Sequence, residues 1–424
     1  MEIGTRPGGV GYMAQREGPV VDGAGWADLD PREFARFRRL VSALGRRADA
    51  ALATLTDREL AHALGVVRLG GAGIGAANAA VDEAVVRDAS PVALLPEALL
   101  LFGRPAAIRW FVPHHEASMQ VLRGDSAEAS DFFHWPLFRL AEELLARFRD
   151  RNSSQVVRYE LVRVAVPAWS EQAFLELLTN ALVHRDYTVP GVVHVRWGDG
   201  GVEVSNPARP GTGVRPGAAL EGLPEAPNPL LVDAFRRAGI AQRTGLGIGR
   251  AVAAQLRHGL AAPRFERSTD RTVIAVLPGE PADLAFARYV VARERHGEAL
   301  GRAELQLVTA MLRGHRLRTA EAAALLTADR SRARSILFGL VRAGLVQVDA
   351  DGAGRAWSLT DQLRHDLRAC AAHVRAQRTG DQPPAVRPAP TGQPSNPATV
   401  AEPAGWAIPD AGPAVPRRQR AGGG

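Results

Sequence analysis

Lysine is missing from this chain. None occurs in the 424 residues, so all 52 side chains of the lysine-plus-arginine total are arginine. That removes every chemistry needing a lysine amine: the P-loop GxxxxGK[ST], the strand lysine of a protein kinase and a pyridoxal Schiff base. Cys370 stands alone, which excludes an intramolecular disulfide and a cysteine metal cage and points to a reducing compartment. Long apolar runs are missing too. The most apolar stretch, residues 92–112, is broken by Pro96, Glu97, Arg104, Pro105 and Arg109, whereas a spanning helix needs about 20 nearly uninterrupted apolar residues. The first ten residues do not have the basic segment and apolar stretch of a signal peptide. Only His114 and His115 adjoin among the histidines, and no HExxH spacing occurs. A soluble, cytoplasmic protein with no membrane contact is expected.

What is present suffices for two or three ordinary cores, since 46% of the residues are hydrophobic. Basic residues exceed acidic ones, 52 against 45, for a net charge of +7; this permits a polyanionic partner without requiring one. The pattern divides the chain into a glycine-rich flexible arm (1–27), a mainly helical α+β region (28–158), an α+β block (159–280), a second helical block (281–376) and a disordered tail (377–424) rich in proline and glycine. In the first region, Asp30-Pro31 and Thr56 read as helix starts, residues 135–149 as an amphipathic helix, and AAIRWFV and SMQVL as strands.

The middle block carries a constellation. Ser170 is a good N-cap for the helix EQAFLELLTNALVHRDY. Glu176, Asn180 and His184, four residues apart, share one polar face, while Phe174, Leu177, Leu178, Ala181 and Leu182 fill the other. The plain alternative is an amphipathic helix showing its polar side to water. About sixty residues later, Arg243-Thr244-Gly245-Leu246-Gly247-Ile248-Gly249 leads into the helical run RAVAAQLRHG. Glycines at alternate positions let backbone approach a ligand, and a helix start adds unpaired N–H groups and a positive dipole end, so this reads as a phosphate cradle. Between them the hairpin VVHVRWGDGGVEVS runs into Asn206-Pro207, where a polar side chain at a strand end can meet a base edge.

LELLTNALVHRDY, VEVSNP and APNPLLVDAFRRAGIAQRTGLGIGRAV, in this order, resemble the ATP-binding module of AlbA/Schlafen-type bacterial regulators and RecG-like ATP-binding proteins. That module is a divergent member of the GHKL (Bergerat-fold) ATPases, alongside gyrase and the histidine kinases. LPEALLLFG and DFFHWPLFRLAEEL are similar to the segment preceding it. The resemblance implies that Glu176 and Asn180 form the N-box, Glu176 as general base and Asn180 as Mg²⁺ ligand. It implies that Asn206 reads adenine, that Thr244, Gly245, Leu246, Gly247 and Gly249 hold the phosphates, and that residues 207–229 form a lid. The chemistry fits: an amide oxygen is a hard ligand for Mg²⁺, and a carboxylate one turn earlier can orient a water. Ala208 departs from the glycine usual after Asn-Pro, and no lysine is available, so Arg243 or Arg250 would supply charge at the phosphates. Region 28–158 is expected to be the remnant of the segment that follows an AlbA-like domain.

Farther on, short helical patterns, then LVQV, a DADGAGR turn and AWSLT, follow the order of a winged helix-turn-helix. Arg330, Arg332 and Arg334 would lie near the start of its recognition helix and Arg355 in the wing, placed for phosphates or guanine edges. Nine arginines against five acids between Arg302 and Arg355 agree with this; a winged helix used only for protein contacts is the alternative. Residues 71–76 imitate a dinucleotide fingerprint without the βαβ unit it needs. His184-Arg185-Asp186 copies the kinase triplet, but the kinase asparagine is Gly191 here.

The expected fold is α+β: a GHKL (Bergerat-like) α/β sandwich flanked by a mainly helical N-terminal region and a C-terminal winged helix domain. The expected function is an ATP- and DNA-binding transcriptional regulator in which Mg²⁺ and ATP modulate the winged helix. Its partners would be double-stranded DNA, ATP and, as an assembly left open, a second copy in a homodimer. An ATPase of DNA processing or defence, and a scaffold with a vestigial nucleotide site, are the other readings.

Overall fold

The computed structural model describes residues 19–44, 47–69, 92–124, 126–208, 227–240, 247–314, 316–351 and 354–380. Most of the expected arm, lid and tail, the residues Thr244, Gly245 and Leu246, and the 71–76 fingerprint lie outside them.

The chain opens with α1 (Pro31–Ala43), α2 (Arg47–Ala50) and α3 (Asp57–Ala63). Sequence fixes two of these starts. Asp30 accepts from Arg32 N at 3.0 Å, and Thr56 and Glu59 close a capping box. A short antiparallel pair, β1 (Val67–Leu69) and β2 (Val92–Leu94), leads to α4 (Pro96–Phe102) and α5 (Pro105–Phe111). The AAIRWFV run, expected as a strand, is therefore helical. Pro105 occupies the first helical turn, where its missing N–H costs nothing, and Ala107 and Ile108 are buried while Arg109 and Trp110 remain exposed. Phe34 of α1 stacks on Phe102 of α4 at 4.0 Å between centroids.

SMQVL is a strand, as expected, in β3 (Ala117–Arg123), which pairs with β4 (Ser126–Phe133). Next come α6 (Leu137–Arg151), a hairpin of β5 (Ser154–Tyr159) and β6 (Val162–Pro167), then α7 (Glu171–Val183). After α7 the strands β7 (Val193–Gly198) and β8 (Gly201–Pro207) form a hairpin, followed by α8 (Pro229–Arg237), α9 (Gly247–Arg257) and β9 (Thr272–Pro278).

The main sheet has five strands in the order β4-β3-β7-β8-β9. Only β3 and β7 run parallel, with Ala117 opposite Val193 and Val121 opposite Trp197. The sheet thus takes strands from both sides of position 158. Side chains alternate along each strand, and Met119, Val193, Val195, Val202, Val204, Ala275 and Leu277 share one core with α6, α7 and α9. Phe148 of α6 stacks on Phe174 of α7 at 4.1 Å. Full burial of such a ring stabilises by roughly 1.5–3 kcal/mol. The β5–β6 hairpin stands outside the sheet, with Val157 and Val166 turned toward Leu284, Ala287 and Val374.

Beyond the sheet lie α10 (Leu284–Arg295), α11 (Arg302–Leu312), β10 (Leu317–Arg318), α12 (Thr319–Leu326), α13 (Arg330–Arg342), β11 (Val346–Asp351), β12 (Gly354–Leu359) and α14 (Asp361–Gly380). The three strands pair as β10-β12-β11. Trp357, Leu305, Val308, Leu337 and Leu340 centre this module's core, which also includes Val252 and Leu256 of α9. One helix, α9, therefore serves two cores. None of the described helices is long and apolar enough to cross a membrane.

Candidate nucleotide-binding site

The site is built on α7, and both ends of that helix are fixed. At its start Ser170 Oγ accepts from Ala173 N, and Ser170 N donates to Gln255 Oε1 at 2.8 Å. Gln255, wholly buried on α9, also donates to Ala261 O at 3.1 Å, so one side chain aligns the two helices. At the other end Tyr187 donates to Leu182 O, and Asn228 Nδ2 donates to Val183 O at 3.0 Å and Arg185 O at 2.7 Å. Carbonyls that a helix end leaves bare are satisfied in this way.

Arg185 is wholly buried and organises the segment after α7. Its guanidinium donates to the carbonyls of Asp186, Gly191 and His114 and lies 4.8 Å from the centroid of the Tyr187 ring. The kinase-like triplet is thus a scaffold of backbone carbonyls around a guanidinium fork.

The polar face of α7 does not look into water. Glu176 is 8% exposed, and Asn180 and His184 are half-buried. Helix α9 covers them: a Cβ on Gly247 would lie 2.8 Å from Glu176 Oε2 and 3.6 Å from Asn180 Nδ2. A side chain there would have to displace the Glu176 carboxylate, while Asn180 is at ordinary contact distance. Burial pushes the Glu176 carboxyl above its usual range, and the Arg250 guanidinium, whose Nη2 donates to Glu176 Oε1, opposes that shift. Arg250 Nε and Nη1 are buried with no partner among the described residues.

Next to this pair opens a small recess lined by Leu177, Asn180, Ala181 and His184 of α7, Val204 and Asn206 of β8, Ile248 of α9, Val273 and Ala275 of β9, and Phe265. Its walls are mostly apolar with three polar side chains among them, the character of a small-molecule site. Burial lowers the His184 pKa to about 4, so a neutral imidazole lines the wall at pH 7. Asn206, 3% exposed, donates from Nδ2 to Pro207 O at 3.1 Å. Ala208, where glycine was expected, extends the ladder by donating its N–H to Arg271 O at 2.9 Å.

The structure therefore gathers Glu176, Asn180, Asn206 and Gly247 around one recess and the start of α9. The glycine at 249 faces elsewhere: a Cβ there would lie 3.1 Å from Cδ of Arg302 in α11. The site's fit to a nucleotide rests on the apolar slot beside Asn206, the cradle at Gly247 and the unpaired nitrogens of Arg250. Among the described residues no group of three His, Cys, Asp or Glu side chains is placed to hold a metal; an amide oxygen such as that of Asn180 is of the kind that Mg²⁺ takes beside phosphate and water oxygens.

Arg330, Arg332 and Arg334 are exposed on the first turns of α13, capped by Asp329, which accepts from Arg332 N at 2.7 Å. None of the three has an ion-pair partner among the described residues. Arg355 lies in β12 opposite Ala350, and its side chain is outside the described residues.

Sequence reasoning missed Gln255, Asn228, Arg185, Phe265 and the hold of Arg250 on Glu176. Only Asn228 left a signal, as the Asn-Pro turn pair before α8. The others act on partners distant in sequence.

Residues 191–276 match the family model described as "Putative ATP-dependent DNA helicase recG C-terminal". Over this region the chain is similar to that RecG-like ATPase family, and the match covers well under half of the chain. The chain is similar to the crystal structure of the DIP2311 protein from Corynebacterium diphtheriae, with a TM-score of 0.63 and 20% identity, over 82% of this chain and 65% of that one. That likeness concerns the fold, and the chain spans less than two thirds of that protein. No curated protein matches.

Proposed function

We propose that the chain is an ATP-binding regulator whose C-terminal module is a DNA-binding winged helix controlled by nucleotide occupancy. The observation that carries this reading is the convergence of Asn180, Asn206 and the first turn of α9 on one mostly apolar recess. Asn206 reads the adenine edge, its amide oxygen accepting from the exocyclic amine. Asn180 holds Mg²⁺, and the N–H groups at the start of α9, with Thr244, Gly245 and Leu246, hold the phosphates. When bound, ATP supplies the polyanion that completes this end of the site. The helicase in the family's description is not carried over, because the P-loop of such a motor needs a lysine and these 424 residues contain none.

Two features bear on turnover. Burial raises the Glu176 pKa, the direction that makes a carboxylate a stronger base, whereas the bond from Arg250 occupies one of its oxygens. Occupancy is therefore the primary output and hydrolysis the second reading. The α11 to β12 module supports DNA contact through its helix-and-ribbon order and the three unpaired arginines of α13, which would meet phosphates or guanine edges.

The test is calorimetric titration of the full chain with ATP, with and without Mg²⁺, beside a folded Asn180→Ala variant. Mg²⁺-dependent binding lost in the variant is the expected result. No binding by folded wild-type protein would leave an inherited scaffold. Turnover that disappears in Glu176→Ala while ATP binding persists would establish the second reading.

A further inference from the structure

Helix α13 turns one row of side chains away from the core of the C-terminal module. Ala333, Leu337 and Leu340 are buried, while Arg330, Arg334, Phe338 and Arg342, each four residues from the next, are exposed. At about 100° per residue such a row advances by only about 40° per step, so the four side chains follow one another along the helix. No carboxylate occurs among the 13 residues of α13, and none of its arginines has an ion-pair partner among the described residues.

Phe338 breaks this row of cations with an apolar ring that is 41% exposed. The ring is held in place from behind. It stands edge-on to Trp357 of β12, with 5.2 Å between centroids and 88° between planes. Trp357 is itself buried and donates from Nε1 to Thr319 Oγ1 at 3.1 Å, which fixes the surface that Phe338 leans on. Val348 of β11 lies opposite Trp357 in the ladder and is 42% exposed. Opposed side chains of an antiparallel pair share a face, so Val348 flanks the same spot.

This apolar spot is small: two side chains, each more than half covered, beside a row of unpaired arginines. A stable protein contact buries about 800 Å² per partner around an apolar centre. The spot fits instead a small apolar group displayed among anions. In duplex DNA that group is the C5-methyl of thymine, which stands in the major groove between the phosphates of the two strands. We propose that Phe338 is a thymine-reading residue: with α13 in the major groove its ring packs on the C5-methyl group, while Arg334, about 6 Å away along the helix axis, takes a neighbouring phosphate or guanine edge. This rests on the DNA reading of the C-terminal module. Arginines on phosphates hold any duplex, and Phe338 adds a preference for sequence.

The experiment offers the full chain a pool of random-sequence duplexes and resynthesises the enriched sequence with thymine or with uracil, which differs only in lacking the C5-methyl group. Affinities for the two duplexes are measured by fluorescence anisotropy in wild type, Phe338→Ala and Phe338→Leu, with a thermal melt to show that each is folded. The expected result is about four-fold weaker binding of the uracil duplex by wild type, no difference between the duplexes in Phe338→Ala, and part of the difference kept in Phe338→Leu. Equal affinities in wild type, a pool from which no sequence is enriched, or a preference that persists in folded Phe338→Ala overturns the role of Phe338 and leaves DNA binding standing. Wild type that binds no duplex overturns both. Uracil placed at one thymine at a time needs no variant: the loss in wild type is concentrated at one thymine of each bound site, and a loss spread evenly over all positions counts against the proposal.

Discussion

Gly247 shows how little freedom the centre of the site has. Glu176 Oε2 would be 2.8 Å from a Cβ at this position, so Gly247→Ala has to push that carboxylate or α9 aside. The expected outcome is at least about a ten-fold loss of ATP affinity, some 1.4 kcal/mol, with the fold retained; calorimetry and a thermal melt check the two parts separately. Two buried histidines make a different prediction. His115, which bonds Trp135 O at 2.8 Å, and His184 both have pKa values lowered by burial to about 4. Unfolded histidine takes up its proton near pH 6.5, so between about pH 6.5 and 4 the unfolded state binds more protons and stability falls with falling pH. The melting temperature should drop steadily from pH 7 to 4.5, and less steeply in His184→Asn. A slope unchanged by that substitution would mean that the imidazole titrates normally in the fold.

Among the elements, α7 and α9 could be read in advance and their mutual fastening could not. The N-cap Ser170 and the apolar stripe from Phe174 to Leu182 mark α7 in sequence, and the glycine run marks the entry to α9. Gln255 gave no sign of itself, because its two partners, Ser170 N and Ala261 O, are backbone groups joined only by the fold. Its replacement by alanine strands a buried N–H and a buried carbonyl, each at a cost of about 1–3 kcal/mol, and a denaturant titration should show a loss in that range. The polar face of α7 was likewise visible as polar but not as covered. Periodicity gives the direction of a face and not what packs on it. The strand expected at AAIRWFV failed for a related reason: a run of aromatic and branched residues suits both a strand and a buried helix, and Pro105 was the cue that separates them. For α13, Arg330→Ala and Arg334→Ala should each weaken DNA binding and lower the salt slope of the affinity by about one. A slope equal to wild type would remove these side chains from the contact surface.

Across the whole molecule, α9 belongs to the core of the main sheet through Ala251 and Ala254 and to that of the C-terminal module through Val252 and Leu256. The proposed coupling would run through this shared helix, so DNA affinity measured with and without Mg²⁺ and ATP should differ; equal affinities would overturn the coupling. Changes of composition and periodicity could be followed along the sequence, but the division they suggest at position 158 runs through the main sheet. The parallel pairing of β3 with β7 could not be followed, since it joins strands about 75 residues apart that carry no register signal of their own.

That pairing also decides what happens when the chain is cut. A fragment covering only residues 159–280 would keep β7, β8 and β9 but lose β3 and β4, leaving the backbone of Val193–Gly198 as a bare strand edge beside the apolar surface that α6 now covers. Bare edges of this kind recruit further strands. Such a fragment should elute as a self-associated species, whereas one beginning before Ala117 and retaining α6 should elute as a monodisperse one.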